Sequence, residues 1–181
     1  MKVTQSLIPE ILIIEPEVYT DNRGYFFESF NHRNFVKAIQ KEVNFVQDNH
    51  SVSIKGAVRG LHYQVKTEQA RLVRVIYGEI YDVAVDLRKK SSTFGKWVGH
   101  VLSAENKKQI WIPKGFAHGF MALSEKAEVL YKTDNYYSKE DERSIQWNDP
   151  DIEISWPSHL KTILSPKDFE AEAFQNAEYF E

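Results

Sequence analysis

The segment Leu72–Arg88, LVRVIYGEIYDVAVDLR, decides the fold. Tyr77-Gly78-Glu79 separates two β-rich runs, Leu72–Tyr77 and Ile80–Leu87, and a glycine between such runs predicts a hairpin. In the second run Tyr81, Val83, Val85 and Leu87 alternate with Asp82, Ala84, Asp86 and Arg88. A period of two sends successive side chains to opposite faces, so one face is apolar and the other mixed or polar. Working outward, similar runs cover Ile11–Ile14, Gly24–Phe30, Phe45–Ser53, Ala57–Gln64, Trp97–Leu102, Gln109–Ile112, Gly115–Leu123 and Ala127–Tyr136. Gly, Asn, Asp, Lys or Pro separates them. Many short strands with little helix between them predict an all-β sandwich or barrel rather than βαβ units.

Two helices are expected. Asn31–Val43 spaces Phe35, Ile39 and Val43 near one helical face, with Asn31 placed to cap the start. Lys167–Phe180 follows Ser165-Pro166, and proline suits a first helical position. Asn148-Asp149-Pro150 and Trp156-Pro157-Ser158 read as turns leading to a C-terminal helical appendage on one domain spanning 1–181.

The 181 residues are 42% hydrophobic and 27% charged, the balance of an ordinary globular protein able to bury a substantial core. A formal net charge of −3 argues against broad attraction to nucleic acid or anionic membrane, while leaving room for a local basic pocket. Cysteine is absent, which excludes disulfides, thiolate metal sites and a thiol nucleophile. The apolar run Ile11–Ile14 is cut short by Glu15 and Pro16, too brief for a signal core or a membrane span. The cytoplasm is the expected compartment.

Several clusters could carry chemistry. His62 lies between a glycine-rich bend (Gly56, Gly60) and Tyr63, with Arg59, Arg71 and Arg74 nearby in sequence. Histidine titrates nearest neutrality and is a natural proton acceptor, and arginines suit phosphates. A hydrogen-bonded structural histidine is the commoner case. In LYKTDNYY, Tyr131 and its neighbours Tyr136 and Tyr137 are either proton donors opposite a base or ordinary core and rim aromatics. Arg23 beside Tyr25, Phe26 and Glu28 can hold a phosphate while a ring stacks on a base, or can simply form a turn. Gln47, Asp48 and Asn49 add hydrogen-bonding side chains. Asp168, in LSPKD, can orient an imidazole or merely cap a helix.

Pro113-x-Gly115-x-x-His118 resembles the second motif of cupins, whose fold is a double-stranded β-helix of jelly-roll type. Metal-binding cupins carry an upstream His-x-His, whereas this chain reads His62-Tyr63-Gln64, so no metal is expected. Taken in order, DNRGYFFESF, QDNHSVS, RGLHYQ, LVRVIYGEIYDVAVDLRKKSSTFGKW, LSAENKKQIWIPKGFAHGF, LYKTDNYY and WNDPDIEISWP resemble the dTDP-4-dehydrorhamnose 3,5-epimerase family, from about Thr20 to Asp168.

That resemblance implies an all-β cupin jelly roll with a few short helices, in a homodimer exchanging N-terminal strands. It implies inversion at C3 and C5 of a dTDP-sugar, dTDP-4-dehydro-6-deoxy-D-glucose, without metal or cofactor. By similarity His62 is the base, Asp168 orients it, and Tyr131 is the acid on the opposite face. His118 and Arg71 fall where the family contacts substrate, as do Arg23, Glu28, Gln47, Asp48, Asn49, Arg59, Glu142 and Lys167. Arg23 and Glu28 are expected to reach the neighbouring subunit's site, and Phe26 to stack on thymine. One departure stands out: the family commonly has lysine at Arg71. Arginine keeps the charge but is larger, planar and unable to give up a proton near neutrality. A one-carbon epimerase, a metal-dependent cupin and a non-catalytic sugar-binding jelly roll are the competing readings. The tail after Asp168 carries no recognisable motif.

Overall fold

The computed structural model describes every residue except Ser158, so the expected Trp156-Pro157-Ser158 turn lies partly outside the described residues. The chain opens with β1 (Lys2–Gln5), β2 (Leu12–Glu15), β3 (Val18–Asp21) and β4 (Gly24–Phe27), followed by helix α1 (His32–Ile39). An unbroken series of strands follows: β5 (Gln47–Ile54), β6 (Val58–Gln64), β7 (Arg71–Tyr77), β8 (Glu79–Asp86), β9 (Trp97–Ser103), β10 (Gln109–Ile112), β11 (Phe116–Ala122), β12 (Lys126–Thr133) and β13 (Glu142–Ser144). A four-residue helix, α2 (Pro166–Phe169), and a 3-10 turn at Phe174–Asn176 complete it.

The strands form a six-stranded sheet, ordered β1-β2-β10-β7-β12-β5, and a five-stranded sheet, ordered β13-β6-β11-β8-β9. Between them lies a core drawn from both: Val73, Val75, Ile110 and Val129 from the first, and Ile80, Val98, Leu102, Phe116 and Phe120 from the second. Two antiparallel sheets facing each other across that core make the cupin jelly roll. The β3–β4 hairpin pairs with neither sheet. No helix among the described residues is long and apolar enough to cross a membrane.

Tyr77-Gly78-Glu79 corrects the first expectation. β7 pairs with β10 and β12, while β8 pairs with β11 and β9, so the chain changes sheets at Gly78 instead of folding into a hairpin. Gly78 has φ +73°, and a Cβ there would sit 2.1 Å from the Lys126 carbonyl oxygen. Only glycine turns this corner without strain.

The alternation in β8 is real, but neither face is wet. Tyr81, Val83, Val85 and Leu87 point outward into a second core, covered by Ile152, Trp156, Phe174, Tyr179 and Phe180 from the tail. The mixed face turns inward, where Asp82 and Asp86 are fully buried. Asp86 is satisfied by Arg88, Ser91 and Thr93. A third core, with Phe35, Val43, Leu72 and Trp111, lies beneath α1.

The Asn31 side chain caps α1, accepting from the Asn34 amide at 3.2 Å as expected, but the helix stops at Ile39 because Gln40 turns left-handed at φ 54°. The expected helix Lys167–Phe180 is reduced to Pro166–Phe169. Beyond it the chain runs extended, with parallel bridges from Glu172 to Ile145 and from Phe180 to Arg88. Covering the outer core with spaced aromatics outweighed local helix propensity.

Candidate active site

Strands β6 and β11 are antiparallel neighbours with His62 opposite His118. Their pairing slips just beyond His118, where two glycines meet. Gly60 has φ +131°, and a Cβ there would come within 2.5 Å of the Gly119 Cα. This close approach lets two imidazoles share one wall of a cavity of about 360 Å³. The opposite sheet supplies the facing wall: Gln47, Asn49 and Ser51 from alternate positions of β5, Arg71 from the start of β7, and Tyr131 from β12. Arg59, Glu142 and Lys167 complete the lining.

His62 Nε2 lies 2.6 Å from Asp168 Oδ1. Ser165 holds that carboxylate from behind, its hydroxyl donating to Asp168 Oδ2 at 2.7 Å while accepting from the Asp168 amide at 3.1 Å. Burial alone pushes the Asp168 carboxyl up, but the hydrogen bonds from His62 and Ser165 outweigh it and hold the group below its ordinary value. Burial depresses the His62 imidazole, Asp168 opposes that, and the Lys167 and Arg71 cations reinforce it; the net direction is down. The arrangement is a neutral imidazole with Nε2–H committed to a carboxylate, which leaves Nδ1 as the free base.

His118 forms a second pair, with Nε2 2.9 Å from Asp82 Oδ2. Arg71 is half-buried, and desolvation lowers its pKa against the opposing pull of Tyr131, Asp82 and Glu142. Its NH1 donates to the His62 carbonyl oxygen at 3.1 Å, and its buried Nε has no partner among the described residues. Glu142 pairs with Lys167 and accepts from the Tyr137 hydroxyl at 3.0 Å. Among the described residues, no three histidine or carboxylate side chains converge in a metal-holding group.

Ten of the expected residues therefore share one cavity: His62, Tyr131, Asp168, Gln47, Asn49, Arg59, Arg71, His118, Glu142 and Lys167. Four do not. Asp48 points through the other side of its strand and pairs with Lys132 at 2.9 Å. Glu28 accepts from the Asn31 and Asn34 side chains at the start of α1. Arg23 pairs with Asp21, its side chain 85% exposed, and Phe26 is 72% exposed. Asp82 and Ser165 went unanticipated. An acidic residue inside an apolar run marks the first, and a helix-capping serine before Pro166 marks the second.

A family model described as dTDP-4-dehydrorhamnose 3,5-epimerase matches residues 5–176. The chain belongs to that family. Its relatives include dTDP-4-dehydrorhamnose 3,5-epimerases from Pseudomonas aeruginosa, 55% identical over 180 residues with 99% of each chain covered, and from Shigella flexneri, 56% identical over 181 residues with the same coverage. Among solved structures, a dTDP-6-deoxy-D-glucose-3,5-epimerase from Legionella pneumophila in complex with dTDP-4-keto-L-rhamnose matches with TM-score 0.95 and 49% identity, over 98% of this chain and 94% of that one. The jelly-roll architecture and the epimerase family stand together on these likenesses.

Proposed function

We propose that this chain inverts C3 and C5 of dTDP-4-dehydro-6-deoxy-D-glucose by successive deprotonation and reprotonation, yielding dTDP-4-dehydro-L-rhamnose. The observation that carries the reading is an imidazole, His62, on one sheet and held by Asp168 of α2, with a phenol, Tyr131, on the facing sheet, all lining one cavity. Inversion needs a base and an acid on opposite faces of the same carbon.

The C4 ketone makes the hydrogens at C3 and C5 acidic. His62 takes one of these protons, the C–H electron pair moves into an enolate, and negative charge collects on O4. Asp168 accepts the Nε2–H hydrogen bond and stabilises the imidazolium that forms. Arg71 and His118 are the cavity groups suited to O4: a half-buried guanidinium whose Nε has no partner among the described residues, and an imidazole held by Asp82. Tyr131 returns a proton from the other side, completing inversion. Repetition at the second carbon needs the imidazolium to release its proton to water, the Tyr131 phenolate to regain one from water, and the ring to be re-presented between the same two groups.

Arg59 and Lys167 supply positive charge for the diphosphate, with Gln47, Asn49 and Glu142 as polar contacts. For Arg23, Phe26 and Glu28 the reading is a homodimer with strand exchange, in which the β3–β4 hairpin completes the partner's nucleotide site. Its support is that the hairpin pairs with neither sheet of its own chain and exposes Tyr19, Tyr25 and Phe26. The cytoplasm is the compartment of this reading, in which the substrate is a nucleotide sugar.

Proton NMR in D₂O with the 4-keto substrate tests the proposal. Deuterium entering at both C3 and C5 is the expected result. Label at one carbon only makes the chain a mono-epimerase, and no label at either removes the epimerase reading.

A further inference from the structure

The tail after Asp168 packs as a strap across the second sheet. We propose that Ala171–Glu181 holds Asp168 against His62, and that Phe180 is the positioning residue within it. This rests on the assignment of His62 and Asp168 above.

Asp168 sits on a helix of four residues, too short to hold its own conformation. Its placement comes from the flanks. Before it, the Ile163 amide donates to the Gly56 carbonyl at 2.9 Å and the Ile163 carbonyl accepts from Val58 at 2.9 Å. After it, the Glu172 amide donates to Ser144 at 3.2 Å and its carbonyl accepts from Gln146 at 2.9 Å. Farther on, the Phe180 amide donates to Leu87 at 3.0 Å and its carbonyl accepts from Lys89 at 2.8 Å. These clips fix both sides of α2 to strands or strand ends of one sheet.

The Phe180 ring makes the connection specific. It packs edge-on against Tyr63, with centroids 5.8 Å apart. Tyr63 follows His62 on β6, so the two side chains leave opposite faces of the strand. Asp168 therefore grips β6 from inside at His62, and Phe180 grips it from outside at the next residue. Arg143, directly across from Tyr63 on β13, pairs with Glu178 at 2.5 Å and keeps the strap alongside. Phe94, Phe174 and Tyr179 form an aromatic cluster that seats the intervening turn. The Lys89–Glu181 pair is exposed, and such pairs contribute little, which leaves the apolar ring as the anchor.

The test is a double-mutant cycle on the full-length chain, run where circular dichroism shows every variant folded. Phe180→Ala should lower kcat about tenfold and leave KM within about threefold, and Phe180→Leu should restore most of the rate. In an Asp168→Asn background, Phe180→Ala should change kcat by less than about twofold, because the group it positions is already disabled. Equal losses in both backgrounds make the tail merely structural and overturn the proposal. If Phe180→Ala does not fold, Tyr63→Leu removes the same contact from the other side and is read identically. A second readout needs no substrate. The His62 ring N–H bonded to Asp168 should give a downfield proton resonance, lost in Asp168→Asn, broadened in Phe180→Ala and restored in Phe180→Leu. A resonance unchanged in Phe180→Ala sinks the strap, whatever sugar the enzyme uses. The expected NMR response in a wild-type chain that epimerises nothing sinks the functional reading and leaves the strap standing.

Discussion

His118 and Asp82 form a buried pair, Nε2 to Oδ2 2.9 Å, with side chains 6% and 0% exposed. They sit on adjacent strands β11 and β8, and the carboxylate's other oxygen has no partner among the described residues. A carboxylate committed to one ring nitrogen fixes the tautomer and direction of the other, which faces the cavity. Asp82→Asn keeps the shape but removes the charge that selects this tautomer. The expected loss is roughly 10–10²-fold in kcat/KM, measured by steady-state kinetics beside a thermal melt. An unchanged rate would make the pair purely structural.

The pH profile follows from His62. Only the neutral imidazole accepts a proton, so activity fails as pH drops through the folded-state pKa. Burial, the largest influence, depresses that pKa, and Asp168 partly opposes it. The acid limb of kcat/KM should therefore fall below the ordinary histidine value of about 6.5. Asp168→Asn removes the group that favours the imidazolium, so its residual activity should show the limb at still lower pH. A limb shifted upward in that variant would contradict the assignment.

Opposite-face chemistry predicts an asymmetry between two variants. His62→Ala should lose about 10²–10⁴-fold or more in rate while dTDP binding, read by calorimetry, is largely kept. Tyr131→Phe retains the base, so deuterium exchange should persist while net inversion collapses. A non-catalytic sugar-binding jelly roll predicts no chemical defect in either variant. A metal-dependent cupin predicts near-stoichiometric Fe, Mn, Zn or Ni by elemental analysis of the purified protein.

The sequence made the strands legible because burial on a pleated sheet writes a period of two; β10 coincides with its expected bounds, Gln109–Ile112. Sheet partners were not legible. Gly78 reads as a hairpin turn locally, and only the non-local pairing of β7 with β12 and β8 with β11 makes it a corner. The His62–Asp168 pair joins residues 106 apart, beyond any local pattern, and the motif resemblance had to supply it. Asp82 was visible as a charge in an apolar strand but had no visible partner. The tail's aromatics suit a helix in isolation, and what unwinds them is an outer core that exists only after β6 and β8 are in place.

Arg71 separates charge from fit. It is half-buried, and its NH1 reaches the His62 carbonyl at 3.1 Å, a bond that a shorter lysine gives up. Arg71→Lys keeps the cation on a shorter side chain, so the rate should stay within about tenfold. Arg71→Met removes the cation that we propose for the enolate oxygen and should lose about 10²–10³-fold. Following C3 and C5 exchange separately in Arg71→Lys shows whether this position governs how many carbons invert. An unaltered ratio of the two rates would assign it to charge alone.

Gly60 makes the last prediction, because it joins the two imidazole-bearing strands. A Cβ there would lie 2.5 Å from the Gly119 Cα and 2.9 Å from the His118 carbonyl oxygen, at φ +131°. Gly24 has the same φ but open space around its missing side chain. Gly24→Ala therefore isolates the backbone cost, about 1–2 kcal/mol. Gly60→Ala adds a clash against the main chain, which cannot rotate away, and should cost about 2–4 kcal/mol in all. Urea unfolding midpoints at unchanged slope measure the difference. Activity should fall further than stability explains in Gly60→Ala, since parting β6 from β11 moves His62 relative to His118. Equal costs for the two glycines would mean that the close approach of the strands contributes nothing beyond conformation.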